Sequence, residues 1–359
     1  KIAKKQQLTK QAFALELDIP AALKSQYHFR AGQYVTLKYH FGEKEIQNDY
    51  SFTSAPSEEK LALAIKINGE ESSTKFLFDH YQVGDEISVS EPLGRFFLPS
   101  KPNEKRTIIA FASGIGITPI LSHIKNILAE ERTTRIFLFY GNKSYEDIIL
   151  KDELETLQKE SKGRLECFYF ISQEPVKDQL FQGRIDEKKV SLIINQILHL
   201  DEDDEESTIW DSTDKVLICG PGAMIKSVAN ACYSHGIPKK NIHFELFEAY
   251  NEDIYPVEKE FPLIENVKVK IKFNHIEKDG IVLKNNERKI LHQLLDLGYK
   301  LPYSCKSGIC GSCLCYLKAG DVDMTEDEYL TDSEKHQGKI LPCTAIAMSK
   351  EIFLDFDMI

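Results

Sequence analysis

A chain of 359 residues has room for two or three domains, and 42% hydrophobic with 28% charged residues describes an ordinary globular protein rather than a disordered or fibrous one. The net charge of −11 excludes a general nucleic-acid binder, which would carry a basic stripe. No apolar run reaches the roughly 18 residues that cross a bilayer. The basic opening KIAKKQQLTKQAF lacks the apolar core of a signal peptide, so no membrane association is expected.

Residues 1–103 read as short strands. AFALELDI, QYVTLKY, DYSFTS, LALAIKI and EISVSEPLG alternate apolar and polar positions, with Gly, Pro and Asn between them. That pattern predicts a small antiparallel β-barrel, left through the Pro/Lys-rich FLPSKPNEK. Residues 104–250 change character. RTIIAFA, RIFLFYG, LECFYFIS and KVLICGPG are near-continuous apolar runs, and ILSHIKNILAEE, DELETLQKES and AMIKSVANACYSHG show helical spacing between them. Strands buried on both faces and alternating with helices predict a doubly wound α/β domain on a parallel sheet. Six consecutive acids, Asp201 to Glu206, interrupt it and read as a solvated surface loop.

Residues 251–265, charged and without period, read as a linker. In 266–359, VKVKIKF alternates as a strand, KILHQLLDLG is a short helix ending at Gly298, and two late strands lie near KILPCTAIAM and EIFLDF. This is a compact α+β domain.

That last domain concentrates the thiols. Cys305, Cys310 and Cys313 stand in a C-x4-C-x2-C pattern, and Cys343 follows far downstream. Three thiolates on one loop and a fourth from afar is the plant-type [2Fe–2S] spacing. Gly308 and Gly311 allow the loop to wrap closely and to aim backbone N–H groups at sulfur. Zinc is the alternative, but its sites usually pair cysteines closely twice, and Cys343 has no near partner in sequence. Cys315 reads as a packed thiol. Cys167, Cys219 and Cys232 are isolated, which argues against a secreted disulfide scaffold and for a reducing cytoplasm.

In the middle domain FASGIGITPI lies between a buried strand and a helix. Gly114 and Gly116 would admit a dinucleotide pyrophosphate to the backbone at a helix N-terminus. A tight strand-to-helix turn is the plainer reading, but FYGNK and CGPGAM supply two further Gly-bearing turns at strand C-termini, where open α/β sheets bind ligands.

Together these segments resemble the ferredoxin–NADP reductase superfamily, and the last hundred residues resemble a plant-type ferredoxin of β-grasp fold, whose ligands map onto Cys305, Cys310, Cys313 and Cys343. The resemblance implies that Gly114, Gly116, Thr118, Pro119, Asn142, Cys219, Gly220, Pro221 and Met224 surround NADPH or NADH. Cys219 would lie near the nicotinamide, although a buried core thiol is an equal reading. Lys143, Lys151 and Arg184 are candidates for a 2′-phosphate, and both nucleotides stay open.

NDYSFTS resembles the superfamily's flavin motif. It implies Tyr50 packed on an isoalloxazine ring, with Ser51 at its reactive edge and Thr53 beside them. Asn48 stands where the family carries an arginine that grips a flavin phosphate. GEESSTKFL matches the family's phosphate segment through Ser72, Ser73 and Thr74, and Lys66 or Lys75 would restore the missing charge. FAD is expected over FMN. Ser51 and Cys219 are the expected orienting groups for hydride transfer. A nicotinamide releases two electrons as hydride and a [2Fe–2S] cluster accepts one at a time, so the flavin belongs between them. The implied partner is the terminal oxygenase component of an oxygenase system. A reductase for another acceptor such as a Rieske oxygenase, a stand-alone electron carrier and a redox sensor are the rival readings. The acid-rich stretch Asp321–Glu334 would steer a basic partner or simply face water.

Overall fold

The computed structural model describes all residues except 59, 201–206, 249, 251, 257–260, 304, 305, 307, 309, 310, 328, 358 and 359. The acidic run Asp201–Glu206 therefore lies outside the described residues. The chain divides into two compact units, Lys1–Ala249 and Tyr250–Ile359.

The first unit opens with β1 (Ile2–Thr9), β2 (Ala12–Leu17), β3 (Tyr34–Phe41), β4 (Lys44–Ser51), β5 (Leu61–Lys66), α1 (Ser73–His80) and β6 (Ser88–Val89). Two antiparallel sheets, β1-β2-β5 and β4-β3-β6, form the barrel, linked by a bridge between Phe52 and Leu63. Alternation in β2 buries Phe13, Leu15 and Leu17 on one face, as the period of two requires. Two elements go beyond the sequence expectation. One is β1, within the basic opening. The other is α1, on the serine-rich segment.

The chain continues through β7 (Thr107–Ser113), α2 (Ile117–Glu130), β8 (Arg135–Asn142), α3 (Lys151–Glu160), β9 (Leu165–Ile171), α4 (Glu187–Gln196), β10 (Thr213–Cys219), α5 (Gly222–Ser234) and β11 (Ile242–Glu245). All five strands run parallel in the order β11-β10-β7-β8-β9. The chain builds outward from β7 to β9, then returns to the other side of β7 at β10. The C-terminal ends of β7 and β10 therefore flank the switch point, where a crevice opens in such sheets. Phe111, Phe139 and Phe168 stack across three strands at 5.3 and 5.1 Å.

Helix α2 joins the barrel to this sheet. Ser122 Oγ donates to Ser54 O at 2.7 Å, and His123 Nε2 lies 2.8 Å from Phe96 O. Since a carbonyl can only accept, the imidazole carries its proton on Nε2. Lys125, also on α2, pairs with Glu58 at 3.4 Å. Gly32 makes the fit possible. Its φ is +89°, and a Cβ there would lie 1.7 Å from Phe96 O and 2.5 Å from His123 Nε2.

The second unit contains β12 (Glu265–Phe273), β13 (Ile276–Asn285), α6 (Ile290–Asp296), β14 (Cys315–Ala319), β15 (Val322–Met324), α7 (Asp332–His336), β16 (Lys339–Ile340), β17 (Ala345–Ala347) and β18 (Glu351–Asp355). A mixed sheet in the order β13-β12-β18-β14-β16 carries α6, whose Ile290, Leu291 and Leu294 share its core. Sheet and packed helix give the α+β arrangement expected of a β-grasp. Parts of the segment read as a linker are held by this unit. Asp253 pairs with the buried Lys289, and Asn286 Nδ2 donates to Pro262 O at 2.9 Å.

The joint on α2 makes stability depend on pH. Burial holds the His123 imidazole down at about 4, from an ordinary 6.5, and burial first and then the Lys215 charge lower His243 to about 4 as well. Between these values the unfolded chain binds protons that the folded chain excludes. The full contribution is therefore present above pH 6.5 and is lost as pH falls towards 4, by about 3 kcal/mol at His123. Urea midpoints measured from pH 8 to pH 4.5 should fall across that window. His123→Gln, whose amide can still donate to Phe96 O, should show a shallower fall; an unchanged slope would refute the assignment.

Candidate functional site

Two of the three glycine turns, those after β7 and β10, meet at the switch point. Gly114 has φ of +53° and open space where a side chain would stand. Gly116 is the opposite case, because a Cβ there would lie 2.3 Å from Cys219 O and 2.8 Å from Gly220 N. The turn after β7 thus sits directly on the turn after β10, and only glycine permits that approach. At Gly220 a Cβ would meet Met224 Sδ at 2.8 Å and Ser113 Cβ at 3.1 Å. Thr118 and Pro119 fall in the first turn of α2, both buried, with Thr118 Oγ1 donating to Ile115 O at 3.0 Å. Pro in a first turn gives up no intrahelical hydrogen bond. Pro221 caps the start of α5. The structure therefore brings Gly116, Cys219, Gly220 and Met224 together at the switch point, with Gly114 and Thr118 on the same turn as Gly116.

Cys219 is fully buried at the end of β10. Burial first, and the Glu245 carboxylate second, push its thiol well above the ordinary value, so the sulfur is a neutral group and no nucleophile. Asn142 ends β8, is buried, and neither Nδ2 nor Oδ1 of its amide has a hydrogen-bond partner. A buried amide of that kind fits a ligand that both donates and accepts. Open space at Gly114 and the orphaned Asn142 amide together suit a pyridine nucleotide.

Two residues here escape a reading of the sequence. Tyr140 OH donates to Gly114 O at 2.8 Å and so steadies the glycine turn from the neighbouring strand. Glu245, buried on β11, stands opposite Cys219 in the parallel register. Recognising IHFE as a fifth parallel strand would have exposed Glu245.

On the barrel, Asn48, Tyr50 and Ser51 lie on β4, paired with Leu37, Val35 and Tyr34 of β3. Asn48 and Tyr50 therefore share one face and Ser51 the other. Ser51 and Thr53 are buried, and burial, with Tyr39 next, pushes the Tyr50 phenol up. Ser72 is the N-cap of α1, accepting from Lys75 N at 3.1 Å, and Thr74 Oγ1 accepts from Asn68 N at 3.1 Å. Capping explains why serines and a threonine start this helix. Lys66, exposed at the end of β5, lies two residues before Asn68 and so close in the chain to that helix start. Lys75 is engaged elsewhere, 2.6 Å from Asp79. Lys66 is thus the better placed of the two lysines to supply charge.

In the second unit Cys313 and Cys343 are buried in the core, while Cys305 and Cys310 lie outside the described residues. Gly308 N–H donates to Cys343 Sγ at 3.3 Å. Gly308 and Gly311 have φ of +78° and +65°, and the Tyr329 ring covers Gly311 so closely that a Cβ would lie 2.2 Å from it. A buried sulfur that accepts a backbone N–H is suited to a thiolate ligand of an iron–sulfur cluster. None of the six described cysteines is in a disulfide. Cys315 is fully buried opposite Ile340, as a packed thiol should be. Part of the acid-rich stretch is neutralised locally. Asp327 pairs with Lys335 at 2.8 Å, and Glu334 pairs with Lys339 at 3.0 Å, which holds its carboxyl down at about 2.

Three family models match in chain order: an oxidoreductase FAD-binding domain over residues 1–98, an oxidoreductase NAD-binding domain over 111–230, and a 2Fe-2S iron-sulfur cluster binding domain over 274–348. The chain is 28% identical over 357 residues to one subunit of the 1,2-phenylacetyl-CoA epoxidase of Escherichia coli K12, covering 99% of this chain and 96% of that one. It is 27% identical over 352 residues to the ferredoxin reductase component of 3-ketosteroid-9-alpha-monooxygenase from Mycobacterium tuberculosis H37Rv, covering 95% and 88% of the two chains. The solved structure of phthalate dioxygenase reductase superposes with a TM-score of 0.52 at 26% identity, over 99% of this chain and 97% of that one. With barrel, switch-point crevice and cysteine-bearing unit in the same order as those domains, the chain is an iron–sulfur flavoprotein reductase of the ferredoxin–NADP reductase superfamily.

Proposed function

We propose that this chain is the NAD(P)H-oxidising reductase component of an oxygenase system of the phenylacetyl-CoA epoxidase type, working in the cytoplasm. The observation that carries the reading is the convergence of the Gly116 and Gly220 turns on Cys219, in one unit with the Tyr50–Ser51 strand and in one chain with Cys313 and Cys343. The acceptor type rests on the full-length similarity to the epoxidase polypeptide of Escherichia coli.

When bound, the nucleotide supplies a hydride, FAD takes the electron pair, and a [2Fe–2S] cluster passes electrons on singly. The chain's own residues hold and orient these groups. Gly114 and the start of α2 admit the pyrophosphate, and Thr118 and Pro119 shape that turn. Asn142 offers its free amide to the nucleotide, while Gly220, Pro221 and Met224 close the other side. The neutral Cys219 thiol is the compact group assigned to the nicotinamide side of the site. Ser51 orients the flavin edge, with Tyr50 against the ring and Thr53 beside it. Ser72, Ser73 and Thr74 meet the flavin phosphates, helped by Lys66. Cys305, Cys310, Cys313 and Cys343 hold the cluster, and the Gly308 N–H stabilises negative charge at sulfur. We place the functional domains at 1–103, 104–250 and 266–359, with 251–265 between them.

Protein produced with ample iron, sulfide and riboflavin should be coloured, and anaerobic NADPH or NADH should bleach first flavin and then cluster absorbance. A colourless or zinc-only preparation would sink the proposal. Ser51→Ala and Cys219→Ala should each slow flavin reduction at least tenfold at saturating nucleotide; unchanged rates would remove their orienting role. Cys343→Ser should abolish the cluster's visible circular dichroism and cut electron delivery to a one-electron acceptor at least tenfold. Flavin reduction by the nucleotide should persist in that variant, and its loss would contradict the assigned order.

A further inference from the structure

Asn48 occupies a position where an arginine would grip the flavin phosphate, and an amide cannot replace that ionic contact. The structure gives this amide other work. Asn48 Nδ2 lies 3.4 Å from Tyr50 OH and 3.5 Å from Tyr39 OH, and Tyr39 OH in turn donates to Ser73 Oγ at 3.3 Å. Tyr39 is buried on β3, and Ser73 is the first residue of α1. The chain of contacts Tyr50–Asn48–Tyr39–Ser73 therefore runs from the strand read as the isoalloxazine site to the segment read as the phosphate site. It spans three elements, and all four groups are uncharged. Register enforces it. Asn48 pairs with Leu37 and Tyr39 with Ile46, so Tyr39 and Asn48 are diagonal neighbours on one face of the β3–β4 pair, with Tyr50 two residues further along that face.

We propose that Asn48 and Tyr39 are positioning residues for the flavin, which replace the ionic grip of an arginine with a neutral hydrogen-bonded relay between Tyr50 and Ser73. This rests on the flavin reading above. An arginine would hold the phosphate directly and leave the ring to other contacts. The relay instead makes the orientation of the Tyr50 ring and that of the Ser73 hydroxyl depend on each other. Each bond is long and contributes modestly alone, but Tyr39 is buried and the other three groups are half-buried, where such bonds reinforce one another.

The test uses the full-length, cluster-loaded chain, stripped of flavin and titrated with FAD. Tyr39→Phe removes one hydroxyl, and Asn48→Ala removes the amide. Each should weaken FAD binding about fivefold to twentyfold and alter the flavin's visible circular dichroism, with the cluster signal and the melting temperature of the flavin-free protein unchanged. Variants that bind within twofold of the parent with an unaltered flavin spectrum would overturn the relay. A parent that takes up its cluster but binds neither FAD nor FMN would overturn the functional reading itself, and the relay with it.

Discussion

Two hydrogen bonds from one turn of α2, Ser122 to Ser54 O and His123 to Phe96 O, fix the barrel against the parallel sheet, and the geometry of the nucleotide crevice follows from them. Helix α2 starts at the glycine turn after β7, so a shift of the helix is a shift of the crevice. Its buried face shares one apolar cluster with Ala12, Ala64 and Phe96 of the barrel and with Cys219 of the sheet. Small side chains at Ala12 and Ala64 let the layers approach, and a close-packed interior transmits displacement rather than absorbing it. Gly32 sets the limit of that approach, since no other residue leaves room for Phe96 O and His123 to meet.

Neutrality is the second regularity of the first unit. His123 is held unprotonated, Cys219 is held as a thiol, Asn142 offers an amide, and Asn48 stands where a cation is expected. A buried charge without a partner is costly, whereas a neutral dipole is tolerated and can be aimed. Beside Cys219 stands the buried Glu245 carboxylate, which after burial is the second cause that keeps the thiol protonated. Other buried charges of this unit are paired: Arg106 with Glu131 at the start of β7, and Lys125 on α2 with Glu58 and Glu153.

The second unit solves a different problem, which is to bury thiols without oxidising them. Cys313 and Cys343 belong to the same core as Val269, Leu314 and Leu354. The loop between the first strands and β14 carries positive-φ glycines that bring backbone N–H groups to sulfur, as with Gly308 and Cys343. Before β12, Asp253, Pro262 and Ile264 each bond to residues of this unit.

Local chemistry was legible in the sequence. The spacing of Cys305, Cys310, Cys313 and Cys343, the glycines at 114, 116 and 220, and the change from alternating to continuous apolar runs each depend on neighbours in the chain, so they survive as readable patterns. The strands and helices that carry the site followed from the same periodicities. What the fold alone decided is long-range. The stacking of Gly116 on Cys219, the pairing of Glu245 beside it, the link from His123 to Phe96, and the bond between Tyr39 and Ser73 join residues that sequence separation keeps apart. Sequence by itself determined which groups were present and which backbone conformations they required. Tertiary packing decided which of them touch, because burial shifts protonation, orphans an amide and closes a relay only when distant strands have been brought into register.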